Sequence, residues 1–203
     1  MGLCGDIDVP YNDRIYCYRI LFEHFNRGQR LPLKNGGKDM DLSEFNEETL
    51  LLAALRSEID SKLAYQQVAD RVKNALLKDK LRFISGEEEK HRSVIEGIFK
   101  ERFPSKEITV PGDSPVPLPE IRITDEMMPL SEVFLMAMNA ETAAYDFYHH
   151  LAGLYEDQPR LNRMIAYVAS MEMGHYKLLE IEKDNMERFE DFDVYLPEVH
   201  VGP

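Results

Sequence analysis

Tryptophan is absent from this 203-residue chain and cysteine is nearly so, with Cys4 and Cys17 its only thiols. Two cysteines outside any Cys-x-x-Cys cannot build a four-cysteine zinc or iron site within one chain, nor a disulfide-stapled scaffold. We read them as free thiols in a reducing compartment; a disulfide joining them is the alternative. Basic residues are also scarce, with 24 Lys and Arg against 37 Asp and Glu and a formal net charge of −13. This balance disfavours nucleic acid, whose phosphates it would repel, and anionic membrane surfaces. No basic leader precedes an apolar run, and no stretch approaches the ~18 apolar residues of a membrane span. The expectation is a soluble cytoplasmic protein.

Long segments also lack Gly and Pro, and this lack is informative. Between about residues 43 and 74, and again between 78 and 102, apolar residues recur at helical spacing. The first segment carries the stripe Leu51, Ala54, Glu58, Ser61, Tyr65, Val68, Val72. The second carries Leu81, Ile84, Glu88, His91, Ile95, Ile98. The short link between them makes the two helices antiparallel neighbours. From Pro104 to Pro129 the helical period disappears and Pro111, Pro115, Pro117 and Pro119 intervene. So long a connection is explained by a crossover from one end of a bundle to the other. A third helix is expected from Ser131 to about Tyr155, with the stripe Phe134, Ala137, Glu141, Ala144, Tyr148, Leu151, Tyr155. A fourth is expected from Pro159 to about Met186, with Leu161, Ile165, Val168, Glu172, His175, Leu179. The expected organisation is an arm over residues 1–42 with a short helix near Tyr11–Asn26, a four-helix bundle over 43–188, and a tail over 189–203 that ends extended.

Each stripe is apolar except at one level. There Glu58 is followed 30 residues later by Glu88-Glu89-Lys90-His91, and Glu141 is followed 31 residues later by Glu172-Met173-Gly174-His175. Residues three apart share a helix face, so each Glu-x-x-His aims a carboxylate and an imidazole at one spot. Tyr65 and Tyr148 each stand seven residues after the lone glutamate of their half. The halves therefore read as a duplicated helical hairpin. Unpaired carboxylates on an apolar stripe are costly, several together more so, and a pair of cations removes the conflict. Carboxylate and imidazole donors suit iron, manganese or zinc. A lone Glu-x-x-His is weak, and Glu87-Glu88-Glu89-Lys90 by itself is an ordinary solvated face. The weight lies in two copies with matching partners. His24, His149, His150 and His200 read as surface or core histidines, and packing alone accounts for the tyrosines as readily as a bond to a ligand carboxylate.

The segment Met171-Glu172-Met173-Gly174-His175-Tyr176-Lys177-Leu178-Leu179-Glu180, with Ser57-Glu58-Ile59 and Glu87-Glu88-Glu89-Lys90-His91, resembles the helix motifs of rubrerythrin-like members of the ferritin-like proteins. The resemblance spans about residues 45–186. It implies an all-α, ferritin-like four-helix bundle with a long crossover, assembled as a homodimer or larger. It also implies two iron ions per chain, with manganese or zinc as alternatives. Glu58 and Glu141 would be terminal ligands, Glu88 and Glu172 bridges, and His91 and His175 the imidazoles; Tyr65 and Tyr148, from their own spacing, are the candidate catalytic hydroxyls near the oxidant. The implied activity is reduction of peroxide or dioxygen with electrons from a separate donor such as a rubredoxin-like protein. Iron oxidation and handling, or a purely structural metal pair, are the alternatives. One departure stands out: rubrerythrins carry a further ligand glutamate one turn after the lone glutamate of the third helix, and Ala144 stands there, with Ser61 at the duplicate position.

The ligand assignment makes a direct prediction. Glu58→Ala combined with Glu141→Ala removes buried charge together with the cations, so tight metal binding is lost while helical content is kept. Elemental analysis and circular dichroism of the double variant check this, and two metals retained per chain would disprove the ligand set.

Overall fold

In the computed structural model, residues 42–124 and 128–195 are described, with side chains to residue 188. The expected N-terminal helix, both cysteines and the last eight residues lie outside them. After a 3-10 turn at Leu42–Glu44, four helices follow: α1 (Glu47–Arg71), α2 (Ala75–Arg102), α3 (Leu130–Gly153) and α4 (Pro159–Tyr195). There is no strand among the described residues.

The local starts and stops follow from side-chain chemistry. Asn46 caps α1, its Oδ1 accepting from the Thr49 backbone N–H at 2.9 Å. Asn74 caps α2 in the same way, accepting from Leu77 N–H at 3.1 Å. Each cap satisfies an amide that has no partner within its helix. Because Asn74 caps α2, the helix begins at Ala75, three residues before the expected Lys78. Pro159 opens α4, where its missing N–H costs nothing. The other end of α4 corrects the sequence reading. The helix continues past Met186 to Tyr195, and Val194 and Tyr195 are helical rather than extended. No Gly or Pro interrupts the chain after Met186 until Pro197, and proline disfavours helix in the residue before it.

The core lies in two clusters, one on each side of the charged level. The first gathers Leu51, Ala54 and Leu55 of α1, Ile95, Ile98 and Phe99 of α2, Tyr148 and Leu151 of α3, and Leu161, Ile165 and Val168 of α4. The second gathers Tyr65, Val68 and Val72, Leu77, Leu81 and Ile84, Phe134 and Ala137, and Leu179. The direction of every helix follows from this. α1 and α4 run from the first cluster to the second, and α2 and α3 run back. Two successive hairpins that each return the chain require a connection spanning the bundle's length, and residues 103–129 supply it. Ile108, Val110, Val116 and Leu118 pack on the first cluster, and Ile121, Ile123 and Met128 on the second. The sequence-expected stripes form this interior, all buried except the half-buried Ser61 and Ala144.

Polar clamps close the ends. Arg102 at the end of α2 holds Glu47 of α1 at 2.6 and 3.2 Å, and Tyr155 donates to the same carboxylate at 2.7 Å. At the other end Arg71 donates to the Met128 carbonyl at 2.7 Å, tying the crossover's end to α1. Because the Asn46 cap is exposed and local, Asn46→Ala should lower the unfolding free energy by about 1 kcal/mol. Urea denaturation of the variant beside the parent chain measures it.

Candidate metal centre

Between the two apolar clusters, each helix contributes to one charged layer. Glu58 comes from α1, Glu88 and His91 from α2, Glu141 from α3, and Glu172 and His175 from α4. The four glutamates are between 1% and 4% exposed, and the two histidines 3% and 2%. Glu88, His91, Glu172 and His175 form a group in which one ligand atom from each lies within 4.8 Å of the others. The imidazole rings are stacked, with centroids 5.4 Å apart and planes 26° from parallel.

The distances divide the carboxylates into two kinds. Glu88 faces both rings, with Oε1 3.0 Å from His175 Nδ1 and Oε2 3.6 Å from His91 Nδ1. Glu172 does the same, with Oε1 3.1 Å from His91 Nδ1 and Oε2 3.3 Å from His175 Nδ1. Glu58 approaches only His91, at 3.5 Å, and Glu141 only His175, at 3.6 Å. Two equivalent sets result. Each has one imidazole and one private carboxylate, and both share Glu88 and Glu172.

These contacts are close but poorly directed for hydrogen bonding. Glu58 Oε2, Glu88 Oε1, Glu172 Oε1 and both ring nitrogens of His91 and of His175 have no hydrogen-bond partner. Buried polar atoms are almost always paired, and each one left over costs about 1–3 kcal/mol. Here one ligand atom each from Glu88, His91, Glu172 and His175 gathers in one volume, and all are of metal-ligating type. The donor set therefore fits a pair of cations held by carboxylate and imidazole.

Electrostatics of the metal-free layer point the same way. Burial, reinforced by repulsion from Glu172 and Glu88, pushes the Glu58 carboxyl well above the ordinary range. Burial raises Glu141 likewise, against the opposing pull of His175. Burial also acts on Glu88, but the His175 charge beside it outweighs this and holds it below the ordinary range. Glu172 is held low against burial and Glu88 repulsion by His91 and His175. Burial disfavours charged imidazoles, yet the surrounding carboxylates, led by Glu172 for His91 and by Glu88 for His175, raise both.

Tyr65 and Tyr148 add a feature that the sequence did not disclose. Each lies seven residues from the glutamate of its own helix, but neither bonds to it. Tyr65 on α1 donates to Glu141 Oε1 on α3, and Tyr148 on α3 donates to Glu58 Oε1 on α1. Seven residues is about two turns, too far along one helix for contact, whereas an antiparallel α3 brings the opposite glutamate alongside. The duplicated pattern was the available signal, since an antiparallel pair of equivalent helices exchanges such contacts. Burial and the neighbouring carboxylates push both phenols well above their ordinary range, so both hold their protons. Glu182 was also not singled out; it is buried on α4 and paired with Lys80 of α2. His149 and His150 are exposed, outside the layer.

Helix directions, crossover and charged layer together define a ferritin-like bundle with a buried glutamate–histidine cluster that can hold a metal pair. The rubrerythrin family model matches residues 49–183, and the chain belongs to that family. Among solved structures, a hypothetical protein from Pyrococcus furiosus is 27% identical, with a TM-score of 0.66 over 76% of this chain and 98% of its own. The manganese catalase KatB from Anabaena PCC7120 shares the fold, at 17% identity and a TM-score of 0.53 over 87% of this chain and 86% of its own. No curated protein matches the chain. None of the described helices is long and apolar enough to cross a membrane.

A titration follows from the pKa directions. The raised pKa values of Glu58, Glu141, His91 and His175 favour their protonated forms in the metal-free protein, and ligation displaces those protons. Glu88 and Glu172, held low, are already ionised. Metal uptake should therefore release protons, and affinity should weaken steadily as pH falls from 7 toward 5. Calorimetry in buffers of different ionisation enthalpy counts the protons; uptake without release would contradict the assignment.

Proposed function

We propose that the chain is a non-haem di-iron oxidoreductase of rubrerythrin type. It reduces hydrogen peroxide or dioxygen with electrons from a separate donor, in the cytoplasm, as a homodimer or larger assembly. The observation that carries the reading is that Glu88 and Glu172 each face both imidazoles while Glu58 and Glu141 each face one. That is the division of labour between bridging and terminal carboxylates in di-metal bundles.

A bound iron pair supplies Lewis acidity and the two electrons that cleave an O–O bond. The chain's own residues supply the rest. Glu88 and Glu172 would be shared by the two metal positions, and His91 and His175 would complete one position each. The Tyr148 and Tyr65 hydroxyls orient the terminal carboxylates Glu58 and Glu141, and keep a proton at each phenol oxygen beside the layer. Reduction of peroxide to two waters consumes two protons, so protonated groups at this level serve the reaction. The apolar clusters above and below exclude bulk water. With alanine at position 144, no carboxylate extends from that turn of α3, and ligation rests on the symmetric set.

Freshly isolated protein should contain close to two irons per chain, as the shared ligand pattern requires. Hydrogen peroxide should oxidise the reduced form rapidly, and an added reductant should sustain many turnovers. Elemental analysis, stopped-flow absorption and peroxide consumption measure these. Iron accumulating well beyond the pair would favour iron handling instead, and two redox-silent zinc ions would favour a structural centre.

A further inference from the structure

The halves duplicate the ligands but not the flanks beside them. A cleft of about 210 Å³ lies between α1 and the crossover, lined by Ser57, Asp60, Ser61 and Gln67 on the helix and by Ser114 and Glu120 on the connection. It is large enough for several waters. Its floor includes Ala64, and Leu118, Pro119 and Ile121 complete the far wall.

The cleft's height along the bundle is fixed by the packing. Leu118 packs on the cluster containing Leu51, Ala54 and Leu55, and Ile121 on the cluster containing Tyr65 and Val68. The crossover therefore passes the charged layer between these two residues. Ser61 stands on the same stripe as Glu58 and Tyr65, one turn from each, about 5–6 Å between Cβ atoms. Ser57 directly precedes Glu58. The cleft thus lies beside the Glu58 end of the layer, with the Ser61 turn as the wall between them.

Its chemistry is polar but balanced in charge. Arg56 holds Asp60, with Nε 2.7 Å from the carboxylate, and Arg122 holds Glu120 at 2.9 Å. Ser57, Ser61 and Gln67 make no side-chain hydrogen bond to another described residue, which leaves their donors and acceptors for a guest. The equivalent flank of α3 is different. Ala140, Ala143 and Ala144 stand where Ser57, Asp60 and Ser61 stand, buried Phe147 stands where Ala64 does, and Asp146 and His150 stand where Leu63 and Gln67 do. Nearest the ligand glutamate, α1 therefore offers two hydroxyls and a carboxylate where α3 offers only methyl groups.

We propose that this cleft is the route by which small, neutral, polar molecules, of the size and hydrogen-bonding character of hydrogen peroxide, reach the metal layer from the Glu58 side. Paired carboxylates give a free cation or anion no net attraction, and hydroxyl and amide groups favour a molecule that both donates and accepts. The identification of peroxide rests on the proposed function; the route itself does not.

The test uses water as the probe in manganese(II)-loaded full-length protein, with exchange at the metal read by oxygen-17 relaxation. Ser61→Leu fills the cleft directly. The triple variant Ser57→Ala, Ser61→Ala, Ala64→Phe gives α1 the residues that α3 carries at three of these places. Both should load two metals per chain and slow exchange by about tenfold or more, while Ala143→Leu on the opposite flank leaves it unchanged. Unchanged exchange in either loaded cleft variant, or equal slowing by Ala143→Leu, overturns the route. Iron-loaded protein inert to peroxide, alongside slowed exchange in the cleft variants, overturns the oxidoreductase reading and supports the route. Peroxide oxidation that proceeds at the parent rate in both cleft variants overturns the route and leaves that reading standing.

Discussion

The structure depends on a conflict of charge. Four carboxylates and two imidazoles share a layer that almost no water reaches, midway along a bundle that is otherwise apolar. Without cations, burial and repulsion favour the protonated forms of Glu58 and Glu141, while the imidazoles favour the ionised forms of Glu88 and Glu172. That is a compromise, since seven ligand atoms remain without a hydrogen bond. Desolvating them is costly, and a cation pair would satisfy the carboxylate oxygens and one nitrogen of each imidazole. The two clusters on either side supply the burial that offsets the strain and hold each helix at the level its ligand needs.

Much of this was legible in the residues because the fold and the site use one periodicity. The three- and four-residue steps that mark the buried stripe of α1 also place Glu58 on it, and the same holds for Glu88 with His91, Glu141, and Glu172 with His175. The proline-rich segment after Arg102 marked a crossover because no compact bundle needs such a length for a turn. What could not be read were relations between elements. The exchange of Tyr65 and Tyr148 depends on α1 and α3 being antiparallel and in register. The end of α4 was misplaced because acidic residues and an apolar run before Pro197 read as a tail, although nothing there breaks a helix. The cleft was invisible because half of its lining comes from an aperiodic segment.

Symmetry and its breaking have separate tasks in this molecule. Equivalent carboxylates and imidazoles from each half would give two metal positions of the same composition. The crossover is the part that has no twin. It passes one flank of the layer and adds Ser114 and Glu120 to a cleft whose other polar side chains, Ser57, Asp60, Ser61 and Gln67, come from α1.

The crossover supplies none of the six residues of the charged layer, yet it joins two hairpins that each hold half of it. α1 with α2 provides one private carboxylate, one imidazole and one shared carboxylate, and α3 with α4 provides the same. Neither hairpin alone can complete a metal position, because each position takes its second shared carboxylate from the other. The chain is in this respect a dimer whose subunits were made continuous, with the connection converting their association into an intramolecular event at high effective concentration. A bound metal pair would therefore tie the two hairpins together, adding to the apolar clusters that already join them.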